Sequence, residues 1–220
     1  MSFDDLPQLP PLIHPDGGRY VERIMGLGRR AQQETRCVLD QVYGSDYWQK
    51  LDVYLPAQNS GSGLPVLCFL PGGAWINGCK EWLAFMGPVL TAFPAVLVAL
   101  SYRHAPAVKF PAQLDDTVEG LAWIVRNISR WGGDPRRVYL GGHSAGGHLA
   151  ALATLRRDAI EARGLPPDIV RAASRSARPS ISPATIPSAA RRSRLSWRRR
   201  RMSARRAPSL TSAATARPSS

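Results

Sequence analysis

The chain has 220 residues and a formal net charge of +13, and a chain of this length can bury the core of one sizeable domain. All of the excess positive charge lies in the last 50 residues, which carry 13 arginines and no acidic residue, so the charge does not mark the rest of the chain as a nucleic-acid-binding domain. The three cysteines are odd in number and form no C-x-x-C pair, which argues against a disulfide framework or a zinc site.

The N-terminal stretch M-S-F-D-D-L-P-Q-L-P-P is acidic and rich in proline. A secretory signal has a basic start followed by an apolar run, and no apolar stretch approaches the roughly 20 residues of a transmembrane helix. We therefore expect a cytoplasmic protein without a membrane partner. The oligomeric state is left open.

Composition divides the chain into three parts. Residues 1–35 form a mixed lead-in segment, with an amphipathic helix predicted near residues 20–30, and residues 36–170 alternate strand-like and helix-like segments. Residues 171–220 consist mainly of Arg, Ser, Ala and Pro. A segment with so few large apolar residues does not offset its ordering entropy, so the third part is predicted to be a disordered tail.

The middle part contains a regular succession of predicted elements. They are a half-exposed strand at 51–55, buried strands at 65–70 and 95–100, a helix at 113–128, a third buried strand entered at 137–140, and a helix at 145–162. Buried strands that alternate with helices are typical of a parallel sheet with helices on both faces. The predicted fold class is therefore α/β with a mostly parallel sheet.

The motif G-H-S-A-G at residues 142–146 lies between the third buried strand and the last predicted helix. G-x-S-x-G in this context indicates a nucleophile elbow, in which a tight turn lifts a serine hydroxyl above the sheet and requires small residues on both sides. The helix that begins at Ala145 directs its N–H groups toward negative charge developing near Ser144. The alternative is a glycine-rich turn with a bystander serine, and the flanking strand and helix favour the elbow.

The motif P-G-G-A-W at residues 71–75 also follows a buried strand. Two glycines at this place leave backbone N–H groups free to meet an oxyanion, although an ordinary β-turn has the same composition. The elbow about 70 residues downstream favours the oxyanion interpretation. Asp115 and Asp116 open a predicted helix, where capping and the helix dipole favour a structural role for carboxylates.

Further motifs are L-D-V-Y-L-P at 51–56, S-Y-R-H-A-P at 101–106 and F-P-A-Q-L-D-D at 110–116. Together with the two glycine motifs, they resemble the hormone-sensitive-lipase-like and feruloyl-esterase-like α/β-hydrolases, a group that includes arylformamidase-like enzymes. The resemblance covers roughly residues 40–170.

This resemblance implies hydrolysis of a small-molecule carboxylic ester or an aryl formamide through an acyl-enzyme on Ser144. It further implies that Trp75 lines the substrate pocket and that an oxyanion is held by the backbone N–H groups of Gly72, Gly73, Ala74 and Ala145. No cofactor, metal or specific nucleic-acid partner is expected.

Two departures from the family pattern concern the catalytic machinery. Pro71 stands where the family usually has a histidine, and proline lacks both the imidazole and a backbone N–H. The triad of this fold runs Ser, then Asp or Glu, then His, yet no His follows His148 and no acidic residue follows Asp168. Because neither the triad acid nor the base is found, we expect the chain to be inactive or impaired.

The remaining histidines do not fill this gap. His148 lies four residues after Ser144 on the same helix, so it would have to reach back over the first helical turn, and no acidic residue after Asp168 is available to orient it. The side chain of His143, which precedes the nucleophile, is expected to point away from it.

The family likeness stops abruptly near residue 172. A segment free of acids and rich in Arg, Ser, Ala and Pro is the composition expected when GC-rich coding DNA is read out of frame, so a frameshift near codon 172 is our hypothesis. Without a structured continuation, the strand at 138–142 would become an exposed sheet edge. The alternatives are a non-catalytic pseudoenzyme and a basic tail that binds nucleic acid without sequence specificity.

Overall fold

A six-stranded sheet organises the computed structural model, which describes residues 3–12, 14–57 and 61–176. The strands are β1 (Cys37–Val42), β2 (Lys50–Tyr54), β3 (Leu64–Leu70), β4 (Val96–Leu100), β5 (Gly133–His143) and β6 (Val170–Ser176). Their order across the sheet is β1-β2-β4-β3-β5-β6. β2 runs antiparallel to both of its neighbours, and β4, β3, β5 and β6 run parallel to one another.

Helices connect and cover the strands. They are α1 (Gly17–Glu34), α2 (Gly87–Thr91), α3 (Ala112–Asn127), α4 (Ala145–Leu155) and α5 (Arg157–Glu161), with short 3-10 segments at Phe3–Asp5, Lys80–Met86 and Ile128–Trp131. Within the described ranges, none of these helices is both long and apolar enough to cross a lipid bilayer.

The two faces of the sheet bury separate apolar layers. On β3, Val66 and Cys68 belong to the main core, which they share with α3 and α4. Leu67 and Phe69 pack on the opposite face, against a cluster that includes Leu83. Because successive side chains of a strand point to opposite faces, the alternation places packed elements on both sides. The predicted parallel sheet covered on both faces is confirmed.

The first two strands differ from the sequence prediction. β2 was expected to be half exposed, yet all its residues from Leu51 to Tyr54 are buried. The reason is that β2 lies inside the sheet, between β4 and β1. The strand β1 itself is not predicted by the pattern, since the polar residues Asp40 and Gln41 interrupt its apolar alternation and coincide with a shift in its register.

The single helix predicted at 145–162 is two helices. The backbone of Arg156 leaves the helical region, with φ −88° and ψ 67°, and separates α4 from α5. The helix that follows the elbow is therefore shorter than its apolar composition indicates.

The folded part extends beyond the predicted boundary at residue 171. Residues 171–176 continue β6, which pairs in parallel with β5 from Val138 to His143. Within the described ranges β6 is the outermost strand on this side. The strand at 138–142, which was expected to become the sheet edge without a structured continuation, is instead paired on both sides. The rest of the predicted tail, residues 177–220, lies outside the described residues.

A buried ion cluster joins the first strands to the segment after β3. Lys80 is 4% exposed, and its Nζ lies 2.9 Å from Asp40 Oδ1, 2.9 Å from Asp52 Oδ1 and 2.7 Å from Glu81 Oε1. Burial raises the pKa of Asp52 to about 6, although Lys80 opposes this shift. Buried charges require such pairing because removal of one partner leaves an uncompensated charge in a region of low dielectric.

We predict that Lys80→Met destabilises the fold by about 3–5 kcal/mol at pH 8, because it leaves buried carboxylates without their cation. Lys80 lowers the pKa of Asp52 in wild type, so the pKa should rise further in the variant. Protonation at pH 5 then relieves the variant more than wild type, and the loss should be smaller at pH 5 than at pH 8. Urea unfolding followed by tryptophan fluorescence at both pH values measures the effect.

Lys109→Met is the matched control, because Lys109 is exposed on a loop and its replacement should change the free energy of unfolding by less than about 0.5 kcal/mol. Equal losses in the two variants, or a Lys80→Met loss that does not change with pH, would contradict the role assigned to the cluster.

Candidate active site

The two glycine motifs lie side by side at the carboxyl ends of two neighbouring strands inside the sheet. β3 and β5 are parallel neighbours, and Leu70, the last residue of β3, is paired with Gly142. Ligands of open α/β sheets bind outside the carboxyl ends of the strands. The loop after β3 and the turn after β5 therefore meet at the edge where this fold places its chemistry.

Ser144 occupies a sharp turn between β5 and α4. Its backbone has φ 49° and ψ −113°, which is a strained conformation for a residue with a side chain. The residue is exposed, and its carbonyl oxygen accepts the N–H of His148 at 3.0 Å to begin the helix. The geometry thus combines an exposed hydroxyl-bearing residue, a strained backbone and a helix N-terminus.

Three glycines make this turn possible by close packing of backbone on backbone. A Cβ at Gly142 would overlap Gly146, and a Cβ at Gly146 would overlap the carbonyl oxygens of Leu70 and Pro71. A Cβ at Gly72 would lie 3.2 Å from the Cβ of Ser144. The elbow and the loop after β3 therefore touch through positions at which only glycine fits without displacement.

The loop after β3, residues 71–78, turns through consecutive residues with positive φ. Gly73 has φ 138°, Ala74 53° and Trp75 63°. Among the described residues, neither Gly73 nor Ala74 donates its backbone N–H to an acceptor. Backbone N–H groups without an acceptor are what an oxyanion hole requires.

Three ring side chains belong to the loop after β3 and to the elbow. Trp75 is 39% exposed, and its ring meets the exposed imidazole of His148 edge to face at a centroid distance of 5.5 Å. The imidazole of His143 lies against Gly72. Within the described ranges, no hydrogen bond joins either imidazole to the Ser144 hydroxyl. That neither imidazole serves as the base stays a prediction.

The segment after β4 supplies buried side chains that sequence reasoning left without a role. The Tyr102 hydroxyl donates to the Pro71 carbonyl at 3.0 Å, and His104 Nε2 lies 2.8 Å from the Gly78 carbonyl. Burial lowers the pKa of His104 and raises the pKa of Tyr102, so both side chains stay neutral near pH 7. The sequence signal that could have pointed to a role for Tyr102 and His104 is their position in S-Y-R-H, directly after a buried strand.

The two aspartates of α3 are engaged in structural contacts. Asp116 is buried and accepts hydrogen bonds from the Arg103 backbone and guanidinium and from Gln49. Asp115 pairs with Arg163 at 3.3 Å. The expectation of a structural role agrees with these contacts. The mechanism is an ion pair rather than capping, because the helix begins after Pro111 without a side-chain cap.

This fold, with a serine on a strand-to-helix elbow beside a glycine loop, defines an α/β-hydrolase. The family model that matches the sequence is BD-FAE, over residues 51–176. The chain belongs to the BD-FAE family of carboxylesterase-type α/β-hydrolases.

Curated relatives carry esterase names. The chain is 41% identical over 123 residues to isoprenylcysteine alpha-carbonyl methylesterase ICME of Arabidopsis thaliana. The aligned residues make up 56% of this chain and 29% of the relative. The chain is 38% identical over 117 residues to esterase LipC of Mycobacterium tuberculosis, covering 52% and 28%. The chain therefore spans less than a third of the length of these relatives.

Solved structures share the fold. The carboxylesterase EstE1 from a metagenomic library aligns with a TM-score of 0.56 and 28% identity, over 72% of this chain and 52% of that one. An esterase of Pyrobaculum calidifontis aligns with a TM-score of 0.55 and 26% identity, over 70% and 48%.

We predict that Gly146→Ala lowers the free energy of unfolding by about 1–3 kcal/mol. The added methyl group would overlap backbone carbonyls of β3 and the adjoining loop, which are fixed by the sheet and cannot move aside as a flexible side chain could. Urea unfolding of the purified variants is the measurement.

Gly26→Ala serves as the control. Gly26 also lies within a helix, but a Cβ there has nothing within 4 Å, so the helix propensity of alanine should stabilise the protein by about 0.5–1 kcal/mol. A Gly146→Ala variant as stable as Gly26→Ala would refute the backbone contact at the elbow.

Proposed function

We propose that this chain is a carboxylic-ester hydrolase by descent, with Ser144 as the nucleophile that forms an acyl-enzyme. The observation that carries the proposal is the strained, exposed position of Ser144 between β5 and α4, in contact with the glycine loop after β3. A nucleophile needs this exposure, and strain held by surrounding structure is typical of functional positions.

A carboxylic ester is the favoured substrate class. The curated relatives are named esterase and methylesterase, and the solved structures are named esterase and carboxylesterase. An aryl formamide would undergo the same acyl transfer, with formyl as the acyl group and an arylamine as the leaving group. The ester is preferred because the names of these relatives share it, whereas the formamide rests on the sequence resemblance alone.

The proposed reaction begins with attack of Ser144 Oγ on the ester carbonyl carbon. The carbonyl oxygen becomes an oxyanion, which the backbone N–H groups of Gly73, Ala74 and Ala145 stabilise, with Gly72 shaping the loop around it. Collapse of this intermediate breaks the bond to the alcohol oxygen, which leaves as the alcohol with the proton that Ser144 Oγ gives up through solvent water. Water then attacks the acyl-serine, its oxygen joins the acyl carbon to form the acid, and one of its protons returns to Ser144 Oγ.

Trp75 is proposed to line the substrate pocket. Its indole is partly exposed and directed toward the imidazole of His148, one helical turn beyond Ser144. An aromatic surface next to a residue one helical turn from the nucleophile offers apolar contact to the acyl or alcohol group of an ester.

The proton on Ser144 Oγ has no evident acceptor in this chain. The sequence carries no histidine after His148 and no acidic residue after Asp168, and the base of this fold follows the nucleophile and the acid along the chain. We therefore propose that the oxyanion half of the machinery is present and the activating half is missing, so that turnover is impaired.

The out-of-frame hypothesis accounts for this gap. The family match reaches residue 176, slightly past the proposed codon 172, so the shift would lie at or soon after that point. Translation of the other two frames of the gene downstream should then restore strand patterns, an Asp and a late His. If neither frame restores them, the frameshift hypothesis fails.

We predict slow hydrolysis of p-nitrophenyl acetate and butyrate by the purified chain. Without an imidazole base, a serine hydrolase retains at most roughly 10³–10⁴-fold acceleration over water from binding and the oxyanion hole. Ser144→Ala should remove the part of this rate that passes through the acyl-enzyme. Initial rates and the amplitude of an acylation burst measure both quantities.

Turnover at ordinary enzyme rates, about 1–10³ s⁻¹, that disappears in Ser144→Ala would contradict the proposed impairment. An acylation burst of the same amplitude in Ser144→Ala would contradict the assignment of the nucleophile. Heat-denatured protein at the same concentration controls for hydrolysis by surface groups.

A further inference from the structure

The loop that faces Ser144 has a conformation that its own sequence does not favour. Besides the positive φ of Gly73, Ala74 and Trp75, Gly78 has φ 99°. Residues with side chains rarely adopt this region, and they remain there only when surrounding contacts determine the backbone. The loop must therefore be held from outside.

Besides the hydrogen bond from the Asn77 side chain to the Pro10 carbonyl, three contacts that hold the loop come from one short segment after β4. At the start of the loop, the Tyr102 hydroxyl donates to the Pro71 carbonyl at 3.0 Å, and in its middle the Ala105 N–H donates to the Trp75 carbonyl at 2.9 Å. At its end, His104 Nε2 lies 2.8 Å from the Gly78 carbonyl. Three points along the loop are thus fixed by three residues that lie within three positions of one another.

The clamping side chains are themselves immobilised. Tyr102 is fully buried and meets the His104 ring edge to face at 5.7 Å, and His104 is also packed against Trp48 at 4.6 Å. Because burial lowers the pKa of His104, the imidazole is neutral near pH 7, and its Nε2 carries the proton that a carbonyl partner requires. The backbone N–H of Arg103 between them donates to Asp116 at 2.8 Å.

The hydrogen bond from His104 influences the position of Ser144, because the residues between them are closely packed. Gly78 lies so near Gly72 that a Cβ on Gly78 would overlap the Gly72 carbonyl, and Gly72 in turn abuts Ser144. A displacement of Gly78 would therefore move the backbone that faces the serine.

From these contacts we infer that Tyr102 and His104 are positioning residues that hold the 71–78 loop in its conformation next to Ser144. The inference rests on the proposed function for its catalytic consequence, but the clamp is a property of the folded chain. It also explains how the loop keeps its shape with a proline at position 71, because the clamp uses the Pro71 carbonyl and needs no side chain from that residue.

The first test is hydrogen exchange by mass spectrometry on the full chain, comparing peptides from the 71–78 loop with peptides from β3 and β4. Tyr102→Phe and His104→Leu should accelerate exchange in the loop about tenfold, because each leaves a buried carbonyl without its donor. His104→Gln should restore slow exchange, since its side-chain amide can donate to the same carbonyl.

Tyr54→Phe is the matched control, because Tyr54 is also fully buried and its hydroxyl contacts Asp52 and Gln32, away from the loop. It should leave loop exchange unchanged. Loop exchange that is equal in wild type, Tyr102→Phe and His104→Leu would overturn the clamp, as would acceleration of the same size in the β3 and β4 peptides.

A second readout tests the positioning role. The Ser144-dependent rate for phenyl acetate relative to its thionoester should fall several-fold in Tyr102→Phe and His104→Leu and recover in His104→Gln, because sulfur gains less from N–H donors than oxygen does. Faster loop exchange with an unchanged rate ratio would overturn the positioning role. A wild-type chain without Ser144-dependent hydrolysis would instead refute the proposed function, and the exchange data would still decide the clamp.

Discussion

Backbone packed directly on backbone, at the edge where β3 and β5 end, is the constraint on which the site depends. Gly142 and Gly146 bring the two arms of the elbow together, and Gly72 brings the neighbouring loop against Ser144. A Cβ at any of these positions would overlap neighbouring atoms, so a side chain there would force the elements to shift. In the parallel pairing of β3 with β5, Leu70 is the register partner of Gly142, so the turns that follow the two strands lie next to each other. The sheet therefore sets the position of the serine, and the glycines set its conformation.

The rest of the molecule holds this contact from two sides. On one side, the main core packs α3 and α4 against the sheet, which fixes the helix that begins at Ala145. On the other side, the segment 101–105 connects several elements: Tyr102 and His104 bind the loop after β3, and Ser101 Oγ accepts the N–H of Lys80 at 2.8 Å. Lys80 in turn joins three carboxylates from β1, β2 and its own segment. The segment 101–105 is therefore bonded both to the loop after β3 and to the segment that carries Lys80.

Much of this arrangement could be predicted from local patterns. The apolar runs of β3 and β4, the helix α3 and the elbow at Ser144 all carry signals within a few residues, and the family resemblance follows from them. β1 and β6 could not be predicted, since their small and polar residues pair through backbone hydrogen bonds with strands that are distant in sequence. The burial of β2 and the roles of Tyr102 and His104 also escaped prediction, because they depend on which element lies opposite in space. The assignment of Ser144 as nucleophile and of the loop as oxyanion site remains a prediction.

The central claim is that the fold singles out Ser144 chemically even where an activating base is missing. Covalent labelling tests it most directly: the chain is incubated for a long period at mildly alkaline pH with a fluorophosphonate, whose phosphoryl oxygen mimics the oxyanion, and adducts are located by peptide mass spectrometry. We expect a single dominant adduct on Ser144, formed more slowly in Tyr102→Phe than in Tyr54→Phe. Adducts spread over the exposed serines and tyrosines, or a dominant adduct on another residue, would contradict it.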